Sequence, residues 1–178
     1  KLIAIARAGN VIGGGDWSKN RLIPDCVKAW SKNKNAIIRN PKSTRPWQHV
    51  LEAIRGYLDL AIKLKKNNKL HGEAFNFGPK TSQNKKVVEL IKQAKKNWKK
   101  IKWKINKTPQ LKFESKLLKL NSNKAKKKLN WIPILRFSET VEMVINWYKK
   151  YYYEGNKDIF EFSKEQLNIY LQKVNKSN

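Results

Sequence analysis

The sequence predicts an α/β protein with parallel strands. Three observations carry this. Leu2–Ala8 (LIAIARA) is an apolar run of strand length, the pattern of a strand buried on both faces of a parallel sheet. It runs into a glycine loop, with Gly9 and then Gly13-Gly14-Gly15-Asp16, ahead of a helical stretch. Beyond that loop, strand-length runs alternate with helix-period stretches.

Leu22–Trp30 reads as a helix with Pro24 in its first turn and Ile23, Val27 and Trp30 on one side. Ala36–Arg39 is a short strand closed by the Asn40-Pro41 turn. Val50–Lys66 is a long helix whose apolar face is expected to run through Val50, Ile54, Leu58 and Ala61, with Leu51 and Ile62 beside it. Glu73–Phe77 is a strand stopped by Gly78-Pro79, and Val87–Trp98 is amphipathic through Val87, Leu90, Ile91, Ala94 and Trp98. Ile101, Trp103 and Ile105 alternate with lysine, as in a half-buried strand. Leu117–Leu120 is a further strand candidate, and Asn123–Leu129 is a short helix ended by Asn130. Ser138–Tyr151 predicts a helix with Ser138 as its cap. Ser163–Val174 predicts a last helix, in which Ser163 and Gln166 match a capping box.

Composition narrows the class. The 178 residues suit one domain, and seven Trp with 40% hydrophobic residues exclude a disordered basic tail. The lone Cys26 excludes a disulfide scaffold and fits a reducing, cytoplasmic setting. One Cys with the separated His49 and His71 cannot build a structural zinc site, so no metal is expected. No stretch is apolar for the length of a membrane span, and the run after Lys1 is too short for a signal peptide. A chain that opens inside a strand, without Met, is expected to be cut from a longer one.

The formal charge is +27, but only six of the 40 basic residues are Arg, at positions 7, 21, 39, 45, 55 and 136. Lysine is a flexible point charge, poor at bidentate recognition. Seventeen lysines fall between Lys85 and Lys128, around Trp98 and Trp103, which imitates a nucleic-acid surface. Periodicity places both tryptophans in a core, so nucleic acid is not the expected partner.

The most specific segment is ARAGNVIGGGDW at Ala6–Trp17, followed by RLIPD at Arg21–Asp25 and RPWQHV at Arg45–Val50. A strand passing into a glycine loop and a helix is a common ligand-site layout, because ligands sit beyond the carboxyl ends of the strands. Asn10 offers both donor and acceptor at that end, and the amides at Arg21 and Leu22 suit a phosphate. By spacing alone the segment is neither a dinucleotide fingerprint nor a P-loop.

These strings closely resemble the C-terminal half of the CDP-glucose 4,6-dehydratases, nucleotide-sugar enzymes of the extended short-chain dehydrogenase/reductase superfamily. The resemblance continues through AFNFGP at Ala74–Pro79, LLKLNSNKAKKKLNW at Leu117–Trp131, WYKKYY at Trp147–Tyr152 and EQLNIY at Glu165–Tyr170, and so covers essentially the whole chain. It implies the last strands of a Rossmann sheet with the small α/β substrate-binding domain. It also implies NAD as cofactor, bound mainly by a preceding portion, CDP-glucose as substrate, and a homodimer. The implied reaction removes water across carbons 5 and 6 of the sugar and yields CDP-4-keto-6-deoxyglucose.

Several roles follow from the resemblance alone. Asn10 and Arg45 would contact the diphosphate. Arg21, Leu22 and Ile23 would lie over it, and Ile37, Ile38 and Arg39 would flank the base. Arg7 and Ala8 would approach the nicotinamide. Related chains usually show His-Glu where this one has Phe113-Glu114, and Leu-Asp where it has Leu120-Asn121. Phe113 would stack on the base and Glu114 would meet the ribose or base.

The superfamily's Gly-rich dinucleotide turn and catalytic Tyr-x-x-x-Lys have no counterpart here, so no catalytic residue is expected in this chain and it is expected to be inactive alone. Tyr153–Lys157 has that spacing, but follows a helix end and contains Gly155. His49 reads as a packed histidine and Cys26 as an inert core thiol. Two other readings stand beside this one: a different nucleotide-sugar epimerase or dehydratase, and a basic nucleic-acid-binding module.

Overall fold

The computed structural model describes residues 1–106, 118–155 and 157–177. The chain opens with strand β1 (Ile5–Ala8), the two-residue strand β2 (Val11–Ile12), helix α1 (Leu22–Ser31) and strand β3 (Ala36–Ile38). Next come β4 (Thr44–Arg45), β5 (Gln48–His49), α2 (Val50–Lys66) and β6 (Ala74–Phe77). Strand β7 (Lys85–Lys86), helix α3 (Val87–Asn97) and strand β8 (Trp103–Ile105) follow. The last part holds α4 (Asn123–Leu129), α5 (Phe137–Lys149), a π-helical turn over Lys150–Glu154, and α6 (Ile159–Asn175).

The strands pair in twos. β1 runs parallel to β6 with Ile5 opposite Ala74, β2 parallel to β5 with Val11 opposite Gln48, and β3 parallel to β8 with Ala36 opposite Trp103. β4 lies antiparallel to β7. The parallel pairs agree with the α/β expectation, since each needs a helical crossover.

Two apolar clusters hold these pairs. The larger joins α1, β3, α3 and α5 through Val27, Trp30, Ile38, Leu90, Ile91, Val144 and Tyr148. The smaller packs Leu60 of α2, Phe75 and Phe77 of β6, and Ala125, Leu129 and Trp131 around α4. Asn130 ends α4 in the left-handed region at φ 53°, which asparagine tolerates. Glu52 ties α2 to the C-terminal region: its Oε1 accepts from the Ile134 and Leu135 amides at 2.6 and 2.7 Å, and its Oε2 from the Tyr170 hydroxyl at 2.9 Å.

Three local expectations are corrected. β1 is not buried on both faces: Ile5 is 54% exposed, and Ala6 and Arg7 on alternate faces are exposed as well. Helix α2 has the expected ends but buries the opposite side, Glu52, Ala53, Gly56 and Leu60, leaving Ile54, Leu58 and Ile62 exposed. Gly56 decides this, because a Cβ there would stand 2.4 Å from the Phe77 ring, so only this side can approach β6 so closely. Residues 118–120 form no strand, and Leu117 lies outside the described residues.

The predicted caps of the last two helices are also replaced. α5 starts one residue earlier, at Phe137, and Glu139 accepts from the Arg136 amide at 2.7 Å in place of a Ser138 cap. α6 starts at Ile159, which puts Ser163 inside the helix. Its hydroxyl donates to the Ile159 carbonyl and accepts from the Trp147 indole, and Gln166 donates to the Met143 carbonyl of α5. Tertiary contacts with α5 have taken both capping-box side chains.

Candidate nucleotide-binding cleft

A cleft of about 1090 Å³ opens beyond the carboxyl ends of β1 and β3. The residues expected around a ligand come together on its walls: Arg7, Ala8, Asn10, Arg21, Leu22, Ile23, Ile38, Arg39 and Arg45. Phe113 and Glu114 lie outside the described residues. The cleft also takes Leu120, and Asp16, Asn20, Trp47 and Tyr57, to which sequence reasoning gave no role. Asp16 carried a readable signal, an aspartate two residues before Ser18 and five before Arg21 in a glycine loop.

The chain reaches this arrangement in steps. β1 delivers Arg7 and Ala8, and its register with β6 places Ala8 opposite Phe77. Asn10 follows at the strand end, with its carbonyl accepting from the Gln48 amide at 3.1 Å. Gln48 turns back and donates to the Phe77 carbonyl at 2.7 Å, so β5 and β6 frame the same corner. Arg45, only 6% exposed, enters from β4 and donates to the Thr44 carbonyl at 3.0 Å. Next to it the Trp47 indole donates to the Lys85 carbonyl at 3.0 Å, which holds that turn against β7.

The rim is set by side-chain pairs. Arg21 meets Asp16 at 3.3 Å, and Arg39 donates to Asn20 Oδ1 at 3.4 Å. Burial pushes the Asp16 carboxyl up, but the Ser18 backbone and hydroxyl and the Arg21 guanidinium outweigh it, and the net shift is downward. Asp16 therefore faces Arg21 as a carboxylate at neutral pH.

The remaining expected residues divide clearly. His49 is 3% exposed; its Nδ1 accepts from the Leu51 amide at 3.3 Å, and burial lowers its pKa to about 4. It is a neutral cap of α2, as a packed histidine should be. Cys26 is buried and free, and burial raises its thiol to about 12, so it is no nucleophile at neutral pH. Tyr153 is absent from the cleft walls; its hydroxyl accepts from the Trp98 indole at 3.2 Å. Asn121, just before α4, accepts from the Asn123 amide at 2.8 Å through its Oδ1.

A nicotinamide dinucleotide needs a strand, a tight glycine turn and a helix N-terminus close together. The connection from β1 to α1 instead runs over residues 9–21 and carries β2 within it, so this glycine loop does not fit that cradle. Arg7 and Ala8 line the cleft at the end of β1. Among the described residues no cluster of three or more His, Cys, Asp or Glu could hold a metal, and no helix is long and apolar enough to cross a membrane.

This α/β fold matches about half the length of several solved nucleotide-sugar epimerases and a dehydratase. Three solved structures share it: a UDP-glucuronic acid 4-epimerase from Bacillus cereus in complex with UDP-glucuronic acid and NAD (TM-score 0.71, 23% identity, 84% of this chain and 46% of that one); a UDP-glucose 4-epimerase from Thermotoga maritima with UDP-glucose (TM-score 0.70, 23% identity, 83% and 46%); and a dTDP-glucose 4,6-dehydratase from Bacillus anthracis in complex with NAD (TM-score 0.64, 21% identity, 83% and 44%). No family model matches the chain. It is a homologue of the CDP-glucose 4,6-dehydratase of Salmonella typhimurium, 37% identical over 170 residues, 95% of this chain and 46% of that relative. The chain thus spans about half the length of the relative it matches.

Proposed function

We propose that the cleft binds the diphosphate of a cytidine nucleotide sugar, as the substrate-binding part of an NAD-dependent CDP-glucose 4,6-dehydratase. One observation supports this most. Four of the six arginines in the chain, Arg7, Arg21, Arg39 and Arg45, line the cleft, and no described lysine does, although the chain has 34. If charge alone were drifting upward, lysine would dominate the cleft as it dominates the surface. Guanidinium groups are planar, permanently charged forks that match phosphate oxygens.

In this reading Asn10 and Arg45 hold the diphosphate from the β1–β5 side. Arg21, Leu22 and Ile23 close over it from α1, and Ile38 and Arg39 border the nucleoside. The identity to the Salmonella enzyme favours cytidine. The open edge of β1 and the exposed stripe of α2 would face the dinucleotide-binding portion, which supplies NAD and the catalytic groups. The full enzyme would convert CDP-glucose to CDP-4-keto-6-deoxyglucose.

Calorimetric titration with CDP-glucose, UDP-glucose and dTDP-glucose tests this. Saturable binding that prefers CDP-glucose, and that Arg45→Ala removes, is expected. Equal or tighter binding of UDP-glucose would sink the cytidine assignment and leave another nucleotide-sugar epimerase or dehydratase. Binding unchanged by Arg45→Ala would sink the anchor.

A further inference from the structure

We infer that Tyr148, outside the cleft on α5, is a positioning residue for anion binding: it sets Asp16, which holds Arg21 at the rim. The inference rests on the diphosphate reading above. The phenol oxygen of Tyr148 accepts from the Asp16 amide at 3.1 Å and donates to the Asp16 carbonyl at 2.8 Å. One side chain thus fixes both backbone polar groups of one loop residue. The carboxylate of that residue accepts from the Ser18 amide at 3.0 Å and from Arg21 Nη1 at 3.3 Å.

The loop has further support from α5 and the π-helical turn after it. Trp17, next to Asp16, packs against Trp147, Tyr148, Tyr151 and Tyr152, with ring centroids 4.9 to 6.2 Å away. Tyr148 itself is fully buried in the larger core cluster. The path from α5 to the cleft is therefore continuous: a fixed core residue, a clamped backbone, a carboxylate, a guanidinium. Arg21 needs this hold, since its side chain is 62% exposed and has many rotamers to lose.

Asp16 acts in two opposed ways. Its charge repels an anion, while its oxygen orders the guanidinium that attracts one. The two hydrogen bonds use different oxygens, Oδ1 for the Ser18 amide and Oδ2 for Arg21, so an amide keeps one acceptor and sets a donor against a donor at the other position; if ordering dominates, Asp16→Ala and Asp16→Asn both weaken binding. If repulsion dominates, both substitutions tighten it.

The test is titration of the 178-residue chain with CDP. Tyr148→Phe, Asp16→Ala and Asp16→Asn are each expected to weaken CDP binding roughly 3- to 10-fold, the scale of one net hydrogen bond. In an Arg21→Ala background, Tyr148→Phe should add less than about twofold, because its effect runs through Arg21. Parent-like affinity in Tyr148→Phe and Asp16→Ala, tighter binding by Asp16→Ala, or a Tyr148→Phe effect undiminished without Arg21 overturns the inference. Should Tyr148→Phe melt the fold, the Asp16→Ala and Asp16→Asn pair decides alone. Failure of the parent chain to bind CDP overturns the diphosphate reading and this inference together. If the parent binds and Arg45→Ala removes binding, the same Tyr148 and Asp16 outcomes judge the inference alone.

Discussion

Gly14 lies so close to the indole of Trp147 that a Cβ on it would stand 2.2 Å from ring carbons. The glycine loop is therefore shaped by an aromatic side chain 133 residues away in the chain. A side chain at position 14 must push either the loop or α5.

Gly14→Ala should destabilise the chain by about 1–3 kcal/mol, the usual cost of overpacking. It should also weaken CDP binding, since the loop carries Asp16 to the cleft. Thermal melts and titration check both. An unchanged melting temperature would mean that the loop moves freely off Trp147.

Arg45 is nearly enclosed, and its value in the proposed site is its fork as well as its charge. Arg45→Lys should lose about 10- to 100-fold in CDP affinity, close to the loss in Arg45→Ala, because charged hydrogen bonds are each worth about 1.5–3 kcal/mol and an ammonium makes fewer of them in one plane. Full retention by lysine would show that a point charge is enough there.

His49 gives the fold a pH dependence of predictable sign. Burial holds its folded pKa near 4, below the usual 6.5, so the unfolded chain binds the extra proton between those values. Its contribution is present above pH 6.5 and is lost as pH falls toward 4. The shift corresponds to at most about 3 kcal/mol. His49→Asn keeps a good helix cap and should flatten the pH 4–6.5 slope of stability relative to the parent. Parallel slopes would show that other groups dominate.

Helix α2 offers a paired test of which side is buried. Leu58→Glu lies on the exposed stripe and should change stability by less than about 0.5 kcal/mol while reducing self-association in sedimentation. Gly56→Ala faces Phe77, 2.4 Å from the new Cβ, and should destabilise by about 1–3 kcal/mol. The reverse ranking would return the core face to Ile54 and Leu58.

Much of the molecule was legible from residue pattern. The ends of α2 and the extents of α1, α4 and β3 follow from apolar period, turn residues and breakers. The cleft residues were legible through strings such as GNVIGGGDW and RPWQHV. Asp16 as a link to Arg21, and Tyr148 behind it, were not legible, because their contacts span loop, core and helix. The capping-box pattern at Ser163 misled for the same reason: α5 claims both side chains.

The amino-acid order alone determined the alternation of parallel strands and helices, the scarcity of arginine among so many lysines, and the positions those arginines hold. Local period and residue chemistry encode such features without reference to distant parts of the chain. Only the tertiary structure decided that four arginines share one cleft and that α5 clamps the loop beside them. It also decided which side of α2 is buried. That helix is apolar on both sides, so periodicity is satisfied either way. The absent Cβ of Gly56, which lets one side come within reach of Phe77, breaks the tie.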